Sequence, residues 1–165
     1  MEDKIYIAYG SNLNLKQMAF RCPTAEVLGT SELKDYELVF RGAKDNAYAT
    51  IEPCVGKTVP ILLWKVKSAD EKALDRYEGY PIFYQKEELS VPFKDGEVTA
   101  FVYKMTPDHE LNSPSLRYIN TILEGYNEFN FDTSILYDAI ENTNSLMLEE
   151  KTQNRDIDIG QMNWW

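Results

Sequence analysis

The sequence predicts an α+β protein whose sheet is small, curled and mainly antiparallel or mixed. Three observations carry that prediction. Short runs rich in β-branched and aromatic residues recur through the first hundred positions, each bounded by a turn signal. Few long helical patterns interrupt them, so the strands must pair largely with their sequence neighbours. Beyond residue 113 the spacing of apolar residues changes to that of helices.

Lys4–Tyr9 (Lys-Ile-Tyr-Ile-Ala-Tyr) reads as the first strand, and Gly10 breaks it. A short helix over Leu15–Arg21 follows, stopped by Pro23, which lacks a backbone donor. Strand runs come next at Ala25–Leu33, Tyr36–Phe40, Ala47–Ile51 and Val59–Val66. Lys34-Asp35, Arg41-Gly42 and Val55-Gly56-Lys57 are the turn signals between them. Ser68-Ala69-Asp70-Glu71 has the form of a capping box, with Ser68 as N-cap and Glu71 reaching back. The helix it opens carries Ala73, Leu74 and Tyr77 on one face and ends at Gly79, where a left-handed residue belongs. After Pro81, strands Phe83–Val91 and Val98–Met105 are joined at Lys94-Asp95-Gly96. Ser113-Pro114 starts a further helix, with Leu116, Ile119, Leu123 and Tyr126 at helical spacing. Asp132 caps another, expected to end near Leu148. Residues 1–150 are expected to form one domain. Residues 151–165 are expected to be a polar tail lying loosely on the surface, apart from Trp164-Trp165.

The chain has 165 residues, enough for a single domain with its own core. Its 17 basic and 27 acidic residues leave a net charge of −10, which argues against nucleic acid or an anionic membrane as partner. An anionic substrate would be held against that field, so local donors must do the holding. Eleven Tyr, seven Phe and three Trp predict either concave surfaces that are apolar and wet at one edge, or a tyrosine-rich core. Cys22 and Cys54 lack metal-ligand spacing and His109 is the single histidine, so no metal site is expected. Both cysteines are expected to be buried free thiols in a reducing compartment. No apolar leader or spanning run is evident, so a cytoplasmic location is expected, with the oligomeric state open.

Two segments are candidates for chemistry. In Tyr9-Gly10-Ser11-Asn12-Leu13 a strand runs into a glycine, small polar residues and a helix start. Glycine admits a ligand close to the backbone, free N–H groups point outward, and Ser11, Asn12 and Asn14 add donors or cap the helix. A strand–turn–helix of this form is also a common structural turn. In Tyr77-Glu78-Gly79-Tyr80-Pro81 the carboxylate sits in the last turn of a helix between aromatic residues. The negative end of the helix dipole and the aromatic neighbours both disfavour its charge, raising its pKa toward neutrality. A solvated surface glutamate is the plainer alternative.

Taken together, a Tyr-Gly-Ser-Asn-Leu loop after the first strand and a helix-ending Glu-Gly some sixty-five residues later are specific. The pairing resembles the γ-glutamylcyclotransferase-like (AIG2-like, BtrG-like) superfamily. The resemblance covers roughly residues 4 to 105, and Ser113–Ile140 is similar, less specifically, to the C-terminal helices of small members. It implies a small mixed or antiparallel β-barrel with surrounding helices and a C-terminal helical extension. It also implies an enzyme that cleaves a γ-glutamyl amide by intramolecular cyclisation, releasing 5-oxoproline and an amine or amino acid without a cofactor.

By the same resemblance, Gly10, Ser11, Asn12 and Leu13 grip the substrate's α-carboxylate and Tyr9 lines the pocket. Glu78 is the general acid/base. Tyr84, and with less reason Tyr103, falls on a strand near the pocket, and Arg41 is a possible second carboxylate partner. A non-catalytic ligand-binding or interaction protein on the same fold is the alternative.

Overall fold

A computed structural model describes residues 2–162, with side chains as far as residue 156. Five strands form one sheet: β1 (Lys4–Ala8), β2 (Glu26–Ala43), β3 (Asn46–Val66), β4 (Tyr84–Phe93) and β5 (Gly96–Met105), in the order β2-β3-β1-β5-β4. The helices are α1 (Leu15–Arg21), α2 (Ser68–Glu78), α3 (Leu116–Glu128) and α4 (Thr133–Met162), and a 3₁₀ turn spans Ser11–Leu13. β1 lies at the centre, antiparallel to β3 and parallel to β5, so the chain leaves its C-terminal end between two neighbours. That exit is where the Tyr9–Leu13 segment lies.

The four strand runs expected between residues 25 and 66 are two long strands of one hairpin. Lys34-Asp35 and Val55-Gly56-Lys57 are not turns between strands. They face each other as a single irregularity within the hairpin, where the register slips between Lys34 and Tyr36. Asp35 (φ 63°) and Gly56 (φ 89°) both take positive φ there, and the Asp35 carboxylate accepts the Gly56 N–H at 3.0 Å. Such a bulge needs turn residues and bends the strand, which is why it looks like a turn in sequence. Arg41-Gly42 lies inside β2, and the reversal comes at Lys44-Asp45 instead.

The expected barrel is a curled sheet that stays open, since no ladder joins β2 to β4 among the described residues. Side chains draw the strands together where backbone pairing stops. The Ser31 hydroxyl donates to the Pro92 carbonyl, the Met105 N–H to Thr50 Oγ1 at 3.0 Å, and the Tyr84 hydroxyl to the Ala49 carbonyl at 2.7 Å. Ile7, Phe40, Ile51, Ile61, Leu63 and Tyr103 are buried in a single core. Burial of each such side chain contributes on the order of 1.5–3 kcal/mol.

The cap of α2 differs from expectation in one residue. Lys67 is the N-cap and Asp70, 2% exposed, accepts its N–H at 2.9 Å, together with the Thr24 hydroxyl at 2.7 Å. Glu71 instead meets Lys4 at 2.9 Å and Lys86 at 3.2 Å. The other end is as expected: Gly79 takes φ 65° and its N–H and that of Tyr80 close the last turn on Arg76 and Asp75. Asp132 caps α4 by accepting the Ser134 N–H at 3.0 Å, but α4 runs to Met162 and not to Leu148. Trp164 and Trp165 lie outside the described residues. Cys22 and Cys54 are free; Cys22 is buried, which pushes its thiol up to about 11, whereas Cys54 is only half-buried. No helix among the described residues is long and apolar enough to cross a membrane.

Candidate active site

A cavity of about 160 Å³ opens at the C-terminal end of β1. Its walls combine the loop residues Tyr9, Gly10, Ser11 and Asn12 with Tyr77 and Glu78 from the end of α2 and Tyr84 from the start of β4. The two sequence segments singled out for chemistry therefore meet across one space. Tyr6, Tyr48, Ala49, Phe83, Tyr103 and Tyr118 complete the wall.

The loop is held from beneath. Asn14 caps α1 by accepting the Gln17 N–H at 3.1 Å and anchors on α3 through the Thr121 carbonyl at 3.0 Å. Trp64 Nε1 donates to the Asn12 carbonyl at 3.1 Å. α3 presses directly on the loop because residue 125 is glycine: a Cβ there would sit 2.5 Å from Leu13 Cβ and 2.8 Å from its carbonyl carbon. Above, a side chain on Gly10 would lie 3.4 Å from both Ala49 Cβ and the Tyr118 hydroxyl. The N–H groups of Gly10, Ser11 and Asn12 have no acceptor among the described residues, which leaves three adjacent donors, a pattern suited to an anion. Leu13 does not join them. Its N–H donates to the Gly10 carbonyl at 3.1 Å and its side chain is fully buried against α3, so it supports the loop and does not line the cavity.

Glu78 is the acidic residue of the cavity wall, and no lysine, arginine or histidine stands beside it there. Its carboxylate accepts no hydrogen bond from a described residue. Burial pushes its pKa up to about 7, and the charge of Arg21 opposes that rise without cancelling it. The surrounding phenols move the other way from neutrality. Burial first, then the charge of Glu78, holds the Tyr6 and Tyr9 hydroxyls well above their usual value, and burial does the same for Tyr84. At neutral pH the tyrosines thus remain neutral donors while Glu78 gains or loses a proton.

Hydrogen-bond bookkeeping separates the tyrosines further. Tyr9 donates to the Tyr103 carbonyl at 2.7 Å, Tyr84 to the Ala49 carbonyl at 2.7 Å and Tyr103 to Asp75 at 2.6 Å. Their protons are committed to structure, so Tyr9 and Tyr84 serve as walls. Tyr6 accepts from Asn12 Nδ2 at 2.9 Å and Tyr118 accepts from the Ala49 N–H at 3.0 Å. Neither has an acceptor for its own proton among the described residues, so both can donate into the cavity. Sequence reasoning missed this pair. Tyr118 arrives from a helix more than a hundred residues after the loop, two turns before Gly125 on the face of α3 that packs on the loop.

Arg41 is not part of this site. It is engaged by Glu52 at 2.6 and 3.2 Å and by the His109 carbonyl at 3.0 Å, in a separate depression with Lys104 and Thr106.

Comparison with known proteins bears on this geometry. A family model described as "Gamma-glutamyl cyclotransferase, AIG2-like" matches residues 6–121, a span that includes both the loop and Glu78. The chain belongs to this family. Relatives named gamma-glutamylcyclotransferase are 32% identical in Bos taurus and 31% identical in Homo sapiens, in each case over 77% of this chain and 72% of the relative. A solved structure titled "Gamma-glutamyl cyclotransferase" superposes with a TM-score of 0.74 at 28% identity, covering 84% of this chain and 86% of that one. A Bacillus subtilis protein, YkqA, shares the fold at 18% identity and a TM-score of 0.72, over 88% of this chain. β5 and the first turn of α3, which supply Tyr103 and Tyr118 to the cavity wall, lie within the matched segment.

Proposed function

We propose that this protein is a γ-glutamylcyclotransferase that converts a γ-glutamyl amide into 5-oxoproline and a free amine or amino acid, with Glu78 as the general acid/base. The observation that carries the reading is a carboxylate unpaired among the described residues and poised near neutrality, in the wall of the same small cavity as three backbone N–H groups without an acceptor. Its kinship with proteins named for this activity supports it.

The substrate brings its own nucleophile. Its α-amine lies in position to close a five-membered ring on the γ-carbonyl, so the protein must fold it, hold it and move two protons. The N–H groups of Gly10, Ser11 and Asn12 hold the α-carboxylate, with Leu13 bracing them from below. Tyr9 and Tyr84 wall the space. Glu78 takes a proton from the α-ammonium, the freed amine attacks the carbonyl carbon, and Glu78 returns the proton to the leaving nitrogen as the amide bond breaks. The second proton shed by the ring nitrogen goes to the released amine, which departs as an ammonium. The Tyr118 and Tyr6 hydroxyls are the donors available to the carbonyl oxygen as it gains charge. Holding the reacting atoms together accounts for up to roughly 7–11 kcal/mol of the barrier. A group with a pKa near the working pH does both proton transfers well. We place this activity in the cytoplasm, on a small-molecule substrate.

The test is detection of 5-oxoproline from a panel of γ-glutamyl amides. Release by the wild-type protein, abolished in Glu78→Gln, supports the assignment; saturable binding with no product would favour a non-catalytic binder.

A further inference from the structure

Arg21 and Tyr77 form a contact that the mechanism above leaves unused. Arg21 ends α1, and its guanidinium carbon lies 3.3 Å from the centre of the Tyr77 ring. One arm of the fork donates to Asn12 Oδ1, and the other to Gln17 Oε1 at 3.2 Å. The Tyr77 hydroxyl is 3.0 Å from Ser11 Oγ. These contacts close a loop of interactions running from Arg21 to Tyr77, to Ser11, through the peptide link to Asn12, and back to Arg21. On one side stands the donor-bearing loop, on the other the last turn of α2, whose next residue is Glu78.

We propose that Arg21, clamped on Tyr77, is a positioning residue that ties the loop holding the substrate carboxylate to the helix end carrying Glu78. The inference rests on the role given to Glu78 above. The clamp acts in three ways. Because Arg21 has only donors to offer, it fixes which way the Asn12 amide points: Oδ1 turns to Arg21 and Nδ2 to the Tyr6 hydroxyl. That choice leaves the Tyr6 proton free for the cavity. The stack holds Tyr77 over the loop despite its being 43% exposed, since a guanidinium lies flat on an aromatic face and an ammonium does not. Lastly, Arg21 is the cation whose charge opposes the raised pKa of Glu78, so it restrains how far burial lifts the carboxyl above its ordinary value. Arg21 touches none of the reacting atoms and does not line the cavity.

The charge and the shape of Arg21 can be separated by substitution. The Glu78 carboxyl is followed by carbon NMR against pH in full-length protein with labelled glutamate, in wild type, Arg21→Gln and Arg21→Lys, beside steady-state kinetics of 5-oxoproline release. Arg21→Gln is expected to titrate Glu78 at higher pH than wild type. Arg21→Lys is expected to restore the titration, because its charge is kept. It is not expected to restore turnover, because the flat stack and fork are gone, and kcat/KM falls roughly ten- to a hundredfold in both variants, as for a misplacement of about an ångström. Tyr77→Phe keeps the stack and loses the link to Ser11, so its loss is smaller and appears mainly in KM. An unmoved Glu78 titration in Arg21→Gln, or turnover fully rescued by lysine, would overturn the inference. The NMR arm does not depend on catalysis: a wild-type protein that releases no 5-oxoproline overturns the proposed function, while a moved titration still upholds the electrostatic part of the clamp.

Discussion

The depression around Arg41 and the tyrosine-lined cavity treat charge in opposite ways. Around Arg41, each cation has a partner: Arg41 is forked onto Glu52 at 2.6 and 3.2 Å, and Lys104 is 2.8 Å from Glu87. Even the His109 ring is spoken for, with Nε2 3.0 Å from the Thr106 hydroxyl and its face 4.7 Å from Phe83. In the tyrosine-lined cavity the Glu78 carboxylate has no partner among the described residues, and the Tyr9, Tyr84 and Tyr103 protons are committed elsewhere. An unpaired carboxylate in a poorly hydrated place costs stability, whereas an ion pair at a partly exposed site is nearly neutral. The chemistry proposed for this protein rests on that uncompensated carboxylate.

The largest expected effect breaks that contrast at its centre. Glu78→Gln keeps the shape of the side chain and removes the proton carrier, so kcat for 5-oxoproline release is expected to fall on the order of 10²–10⁴-fold with the fold intact. Circular dichroism and steady-state kinetics on the same preparation check both halves.

Next in size is the floor of the cavity. Gly125→Ala sets a methyl group 2.5 Å from Leu13 Cβ and 2.9 Å from the Leu13 carbonyl oxygen, so either α3 or the loop must move. Overpacking of this kind costs about 1–3 kcal/mol, to be read by urea unfolding, and KM should rise as the N–H groups are displaced.

A third effect is the pH dependence that distinguishes the two regions. The Glu78 pKa is raised in the folded protein, which therefore holds that proton more tightly than the unfolded chain does. This contribution to stability is complete below the unfolded carboxylate pKa and is lost as pH rises through about 7. Glu78→Gln removes it, so between about pH 5 and about pH 8 the variant should lose less stability than the wild type, measured by thermal unfolding across that range. Acting as a base, Glu78 must be ionised in the free enzyme, so kcat/KM should rise with pH and level off above about 7.

The smallest effect lies in the other depression. Arg41→Gln breaks an ion pair whose partners are each about a third exposed, at 29% and 35%. Stability should fall by about 0–1 kcal/mol and 5-oxoproline release should stay within roughly twofold of wild type. A large loss of activity would mean that the two regions are not separate.

Much of this was legible in the sequence where chemistry is local. Gly79 ending α2, Asp132 capping α4 and Pro23 stopping α1 each follow from the residue and its neighbours. The loop and Glu78 each sit at the end of an element that a glycine marks, but it was their resemblance to the two motifs of one family that paired them before the fold was known. What was not legible is non-local. Whether Lys34-Asp35 is a turn or half of a bulge depends on Gly56 across the hairpin, and the commitments of Tyr84 and Tyr103 depend on Ala49 and Asp75 from other elements. Leu13 belongs to the motif in sequence yet faces away from the cavity, because Gly125 lets α3 claim its side chain. Tyr118 and Arg21 were invisible as site residues for the same reason: their partners are brought to them by the packing of helices on the loop.

Product identity tests the central claim most directly. The wild-type protein is incubated with a γ-glutamyl amide, and the products are separated and quantified beside those of Glu78→Gln. Stoichiometric 5-oxoproline and free amine from the wild type, with neither from the variant, is the predicted result. Free glutamate in place of 5-oxoproline, or undiminished product from the variant, would contradict the assignment of cyclisation driven by Glu78.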